Sequence, residues 1–252
     1  MRGLALHVSP LFLRLALGLV FLYAGWGKLL ETMPVEGETA ARLANAGFVK
    51  MPPRVTPAQP GGAPAENGQN GSADAGRMGV VVIPARQGGG GQSFTAADFP
   101  EPVEVSRRMN LVLSMLAAEE RGQWPGFLAS PTMLNVQSWA ITIIEFVGGC
   151  LVLLGLLTRL WALGFAGAMV GALWLTQIGP AIAAAEPAFL GFLPPLPMAD
   201  PAMWMRAWEL MFFQFTLLCG SMALACLGAG GLSLDGLVFR EKKRGVRVMQ
   251  DE

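Results

Sequence analysis

Apolar residues gather in four long runs, and polar residues lie mostly between them. The first run is LFLRLALGLVFLYAGWGKLL, from Leu11 to Leu30. The second spans Val136 to Leu157, the third Leu160 to near Gly179, and the fourth runs from about Met203 to Leu227. Crossing a hydrocarbon core takes about 20 mostly apolar residues, so each run is a candidate span. Lipid leaves backbone groups no water to bond, so each span must be a helix. Only Thr158 and Arg159 separate the second run from the third, which predicts a tight antiparallel hairpin. The fold class expected is an all-α membrane protein: a four-transmembrane-helix bundle with a long, partly disordered external loop.

Polar stretches divide the rest of the chain. Residues 1–31 hold the N-terminus and first span, 32–135 the external loop, 136–235 the other three spans, and 236–252 a basic tail. At the start of the loop, ETAARLANAGF predicts a short amphipathic helix stopped at Gly47. The segment at about 57–92 is rich in Gly, Pro, Ala and Asn, too poor in apolar groups to offset the cost of ordering, and is expected to be flexible. Its glycine run at 88–91 lacks a following Lys-Ser/Thr, so it is no phosphate loop. Met109, Val112 and Leu116 recur at helical spacing, predicting an amphipathic helix over about 103–116.

Composition narrows the function classes. The 252 residues are 53% apolar and 14% charged, where soluble domains carry about a quarter charged residues. The 18 basic and 18 acidic residues balance, so no nucleic-acid partner is expected. The single histidine, His7, argues against a His-based metal centre or a bis-histidine haem, and no metal site is assigned. Cys150, Cys219 and Cys226 all lie in apolar runs, where free cysteine behaves as a small hydrophobe.

Charge also sets the expected orientation. The tail FREKKRGVR and the turn bearing Arg159 are basic, while the connection from Pro180 to Pro201 has no Lys or Arg. The positive-inside rule then places both chain ends in the cytoplasm of a cell whose inner (plasma) membrane holds the protein. Trp26, Trp139, Trp174, Trp204 and Trp208 fall near the predicted outer ends, as an interfacial belt would. A short basic start before an apolar run also fits a secretory signal. Arg14 interrupts the apolar core, however, and no A-x-A cleavage site follows, so the first span is read as a retained anchor.

The candidate chemistry lies in stripes at helical spacing. In the first span, Arg14, Gly18, Phe21, Gly25 and Lys28 share one face. In the second, Glu145, Gly148, Val152, Gly155 and Arg159 do, with Gly149 beside them. In the fourth, Glu209, Phe212, Thr216, Cys219, Ala223 and Cys226 align. Gly167 and Gly171 in the third would let helices approach closely. An ionisable group facing lipid costs several kcal/mol, so Arg14, Glu145 and Glu209 are expected to face the bundle interior or a polar cavity. Lys28 could instead snorkel outward. At a rise of about 1.5 Å per residue, Glu145 lies roughly 14 Å below Val136 and Glu209 roughly 9 Å below Met203. Arg14, Lys28, Glu145, Arg206 and Glu209 thus form a candidate intramembrane polar cluster, although Arg206 could neutralise Glu209 within one helix. Two readings stand: ion pairs that fix helix register, or a site for a polar ligand, quinone headgroup or proton path.

These residues resemble the DoxX family of small bacterial membrane proteins. The opening helix is similar at Arg14, Gly18, Phe21, Gly25 and Lys28. The pattern E-x-x-G-G…G-L-x-T-R appears at Glu145, Gly148, Gly149, Gly155, Thr158 and Arg159. The closing motif is similar at Gly228, Gly230, Ser233, Leu234 and Asp235, making Arg159, Ser233 and Asp235 a candidate cytoplasmic-edge motif. Gly231 stands where the family usually has a basic residue, and the outer insertion is far longer than a minimal member needs. The resemblance implies a four-helix membrane bundle, some relatives of which are associated with quinone-linked sulfur oxidation or oxidative-stress complexes.

The first functional expectation is a quinone- or lipid-interacting subunit of a redox-linked membrane assembly, with quinone as the cofactor class. The alternative is a non-enzymatic scaffold or receptor whose external loop or basic tail recruits a protein partner. A small-solute transporter is weaker, because no paired broken helices or inverted repeat is seen. Whether the chain is an enzyme, and whether it forms an oligomer, are left open.

Overall fold

The computed structural model describes residues 2–50, 93–184, 188–195, 201–230 and 233–235, without the side chains of 2–8 and 201–204. The flexible segment expected at 57–92, the basic tail 236–252, Gly231 and the side chains of His7 and Trp204 lie outside the described residues. The chain forms two compact units, one of residues 1–33 with 104–252 and one of Pro34–Val103.

In the larger unit, four helices are long and apolar enough to cross a membrane: Ser9–Leu30, Pro131–Leu154, Thr158–Ala183 and Met205–Leu227. They belong to α1 (Arg2–Leu30), α4 (Pro131–Leu154), α5 (Thr158–Leu173) with its continuation, and α7 (Pro201–Leu227). The amphipathic α3 (Met109–Glu120) precedes α4. The sequence predicted one helix over 103–116. Residues 103–106 are instead strand β2, because Val103 and Val105 alternate with polar neighbours, and the helix starts at Met109.

α1 and α4 pack at backbone distance. A Cβ built on Gly25 would sit 2.5 Å from the Phe146 nitrogen, and one on Gly149 would sit 2.7 Å from the Leu22 nitrogen. This is close helix approach through small residues, as membrane packing requires. Beside it, Phe21 stacks on Phe165 at 3.9 Å within a core of Leu17, Val152, Ala162, Met169 and Leu224.

The hairpin differs from its expected form. Thr158 and Arg159 are the first residues of α5, and the turn is Gly155–Leu157. Gly155 adopts φ +73°, while Leu156 N–H donates to Leu151 O at 2.8 Å and Gly155 N–H to Val152 O at 3.0 Å. That pair of hydrogen bonds around a left-handed glycine closes α4. α5 runs into a π-helical turn, Trp174–Ile178, before α6 (Gly179–Ala183).

In the smaller unit, α2 (Gly37–Asn45) buries Ala40, Ala41, Leu43 and Ala44. It stops at Gly47, where φ is +81° and Phe48 N–H reaches Leu43 O at 2.8 Å. Asn45 brackets Phe94 with two hydrogen bonds, to its carbonyl at 3.0 Å and from its N–H at 2.7 Å. Strands β1 (Thr32–Val35) and β2 (Val103–Ser106) pair in a two-stranded sheet.

Candidate functional site

The stripes on α1 and α4 both face inward. Arg14, Gly18, Phe21 and Gly25 are buried, as are Glu145, Gly148, Val152 and Gly155. The close α1–α4 contact brings Lys28 against Glu145 in an ion pair, with 4% of the Glu145 side chain exposed and 20% of the Lys28 side chain. The Lys28 carbonyl also accepts a hydrogen bond from Ser106 Oγ at 3.1 Å.

This pair sits on the wall of an open cavity of about 740 Å³ lined by residues of α1, α3, α4, α5 and α7. Phe21, Leu111, Met115, Ile144 and Leu217 give it a largely apolar lining. Gly167 and Gly171, expected to pack against a neighbouring helix, line the cavity instead, with no atom within 4 Å of a Cβ built on either. Their missing side chains make room for it. Also in the lining, the π-helical turn presents Thr176, whose hydroxyl accepts from Gln214 Nε2 at 3.1 Å. The Trp124 indole N–H, from another lining residue, is buried without a hydrogen-bond partner among the described residues.

The other expected site residues do not join this pair. Arg14 is buried at a different place, where its guanidinium donates to Val152 O at 3.0 Å, Leu153 O at 2.9 Å and Ala229 O at 3.0 Å. A cation on the last carbonyls of α4 complements the negative end of the helix. Asp235 accepts from the N–H groups of Leu157 and Thr158, at 3.0 and 3.2 Å, and so caps the start of α5. Ser233 Oγ donates to Gly230 O at 2.9 Å. Arg159 is exposed beside Gly228. The closing motif and Arg14 therefore form a lock around the Gly155–Leu157 turn.

Glu209 and Arg206 overturn the expectation that the α7 stripe faces inward. Both are exposed, and neither makes a hydrogen bond or ion pair among the described residues. Phe212, Thr216, Cys219 and Cys226 share that outer side. The face of α7 that packs inward carries Ser221 and Leu224.

Two arginines escaped the sequence reading. Arg107 lines the cavity and pairs with Glu31, which follows α1. Arg108 lies 4.4 Å from the centre of the Trp139 ring and donates to Asn135 Oδ1 at 3.0 Å and Ser138 Oγ at 3.2 Å. Burial pulls the Arg108 guanidinium below its ordinary pKa. The signal was there in the adjacent pair Arg107–Arg108 immediately before an apolar helix, but sequence alone does not say which partners they reach.

Residues 124–178, which include α4, the hairpin turn and α5, match the DoxX family model. Comparison with curated proteins and with solved structures returns no match.

Proposed function

From the premise of an integral membrane protein of the DoxX family, we propose that the chain binds an apolar-tailed carbonyl compound of the quinone class in the cavity beside Lys28 and Glu145, as a subunit of a redox-linked membrane assembly. The observation that carries this reading is a buried ion pair on the wall of a mostly apolar space of about 740 Å³. Small-molecule sites run roughly 300–1,000 Å³, are mostly apolar, and hold a few convergent polar groups. The available groups are chiefly donors. The Lys28 ammonium has N–H bonds beyond the one directed at Glu145, and the Trp124 indole N–H has no partner among the described residues. Such donors suit carbonyl oxygens rather than a cation. When bound, a quinone would supply two-electron redox chemistry, while Glu145 would hold the ammonium in place and the apolar walls would exclude water.

The basic residues near the span ends support placing the protein in the plasma membrane with both chain ends in the cytoplasm. In that orientation the cavity lies in the outer half of the bundle.

The test is saturable quenching of tryptophan fluorescence by a short-chain quinone, with the protein in lipid nanodiscs. Gly167→Leu should fill the cavity without a clash and weaken binding at least tenfold. Unsaturable quenching, or quenching that Gly167→Leu leaves unchanged, would remove the proposal.

A second reading, a scaffold whose external part recruits a partner, is favoured by the compact unit Pro34–Val103 with its own buried residues. Deleting 57–92 and comparing co-purified proteins tests it; an identical set counts against it.

A further inference from the structure

The helix α7 is the least covered of the four spans, with 17% of its apolar window buried against 33–44% for the others. Its outer side carries Glu209, Phe212, Thr216, Cys219, Ala223 and Cys226 at alternating steps of three and four. Lipid suits Phe212 and Ala223. It does not suit Glu209, whose charge has no counter-ion among the described residues, nor the equally unpaired Arg206 beside it. An ionised group facing hydrocarbon costs a few kcal/mol or more, so such a face is expected to be covered by protein. A step averaging 3.5 residues is also the seam of two helices that supercoil around each other.

We propose that this face of α7 packs against the same face of a second copy of the chain, about a two-fold axis along the membrane normal. Two copies inserted alike present parallel α7 helices, and a two-fold interface makes one stripe its own partner. Charge complementarity favours a second copy over an unrelated helix, because the stripe region supplies both members of the missing pair. Three residues span about 4.5 Å of helix axis, so Arg206 of one copy can reach Glu209 of the other, and the axis repeats the contact. Thr216, nearer the middle of the span, adds a hydroxyl that can bond across the seam. The cavity is lined by a different side of α7, including Leu210, Gln214 and Leu217, so the interface stands whether or not the cavity holds a ligand.

The native cysteines make the test. Cys219 and Cys226 are exposed and seven residues apart on the proposed seam, whereas Cys150 is half-buried on α4. Full-length chains retaining one cysteine each would be treated in native membranes with a bifunctional maleimide. Cys219-only and Cys226-only chains should yield a two-chain product at least tenfold more efficiently than the Cys150-only chain. Native mass measurement in retained lipid should give twice the chain mass. Thr216→Trp, on a face that no described element covers, should cut both signals at least tenfold. Leu19→Trp, on the exposed side of α1, should leave them intact. A single-chain mass without a linked product would overturn the proposal. So would a mass requiring a different polypeptide, bound lipid alone, or a dimer indifferent to Thr216→Trp.

Discussion

Lys28 of α1 and Glu145 of α4 are 117 positions apart in sequence and meet in a buried ion pair. The glycines make the meeting possible, since α1 and α4 touch backbone to backbone at Gly25 and Gly149. Glu145 thus has a counter-ion where lipid would offer none.

Removing one partner of that pair should cost more than removing both. Breaking a buried ion pair costs about 3–5 kcal/mol, because the survivor stays charged and desolvated. Lys28 keeps part of its side chain exposed and can withdraw, which puts Glu145→Leu near the lower end, about 3 kcal/mol. The double variant Lys28→Met with Glu145→Leu should return to within about 1 kcal/mol of the parent, as apolar replacement of buried pairs often does. Unfolding in mixed detergent micelles reads this out. Equal losses in the single and double variants would show that packing, not charge, holds this point.

Glycines on two different spans should respond in opposite ways to a larger side chain. Gly25→Val places atoms against the Phe146 backbone, which cannot yield as a flexible side-chain tip does. Overpacking of this kind costs about 1–3 kcal/mol, with α1 displaced from α4. Gly167→Val meets nothing within 4 Å of its Cβ and should leave stability unchanged or raise it slightly. Thermal unfolding of the two variants in one lipid mixture compares them directly.

Much of the bundle was legible because membrane spans announce themselves by length and because charge must be hidden. That logic placed Arg14 and Glu145 inward correctly. It failed for α7, whose stripe has the same 3.5 spacing as an internal packing face but lies outside the chain's own bundle. A sequence pattern does not name the partner that covers it. The cavity was illegible for a related reason: Gly167 and Gly171 look like a close-packing pair, and the same small residues leave a void when nothing moves in. Nor could spacing reveal that Arg14 and Asp235 both serve the Gly155–Leu157 turn, since that needs the ends of three helices in space.

Arg108 should anchor α3 to α4. It has the Trp139 ring beneath it and two side-chain acceptors, with no carboxylate among its hydrogen-bond partners in the described residues. Arg108→Lys keeps the charge but loses the planar fork and its stacking, so it should not rescue fully. Arg108→Ala should cost about 1.5–3 kcal/mol through the lost charged hydrogen bonds. Amide exchange over Met109–Glu120 should rise markedly while exchange in α5 stays low. Uniform loss of protection across both helices would mean that Arg108 serves the whole bundle instead.

The Arg14–Asp235 lock should behave as one unit. Arg14 satisfies carbonyls at the end of α4 and one beyond α7, while Asp235 satisfies amides at the start of α5. The Asp235 N–H also donates to Gly155 O at 3.0 Å, so both residues brace the same three-residue turn. Arg14→Gln removes the charged donor from buried acceptors and should cost more than about 3 kcal/mol, since single charged hydrogen bonds contribute about 1.5–3 kcal/mol. Asp235→Ala removes a helix cap and should cost about 0.5–2 kcal/mol. If each depends on the turn held by the other, the double variant loses less than their sum, with a coupling of about 0.5–3 kcal/mol. A cycle of the four proteins unfolded in the same micelles measures that coupling. Additive losses would mean that Gly155 fixes the turn unaided and the two residues cap separate helices independently.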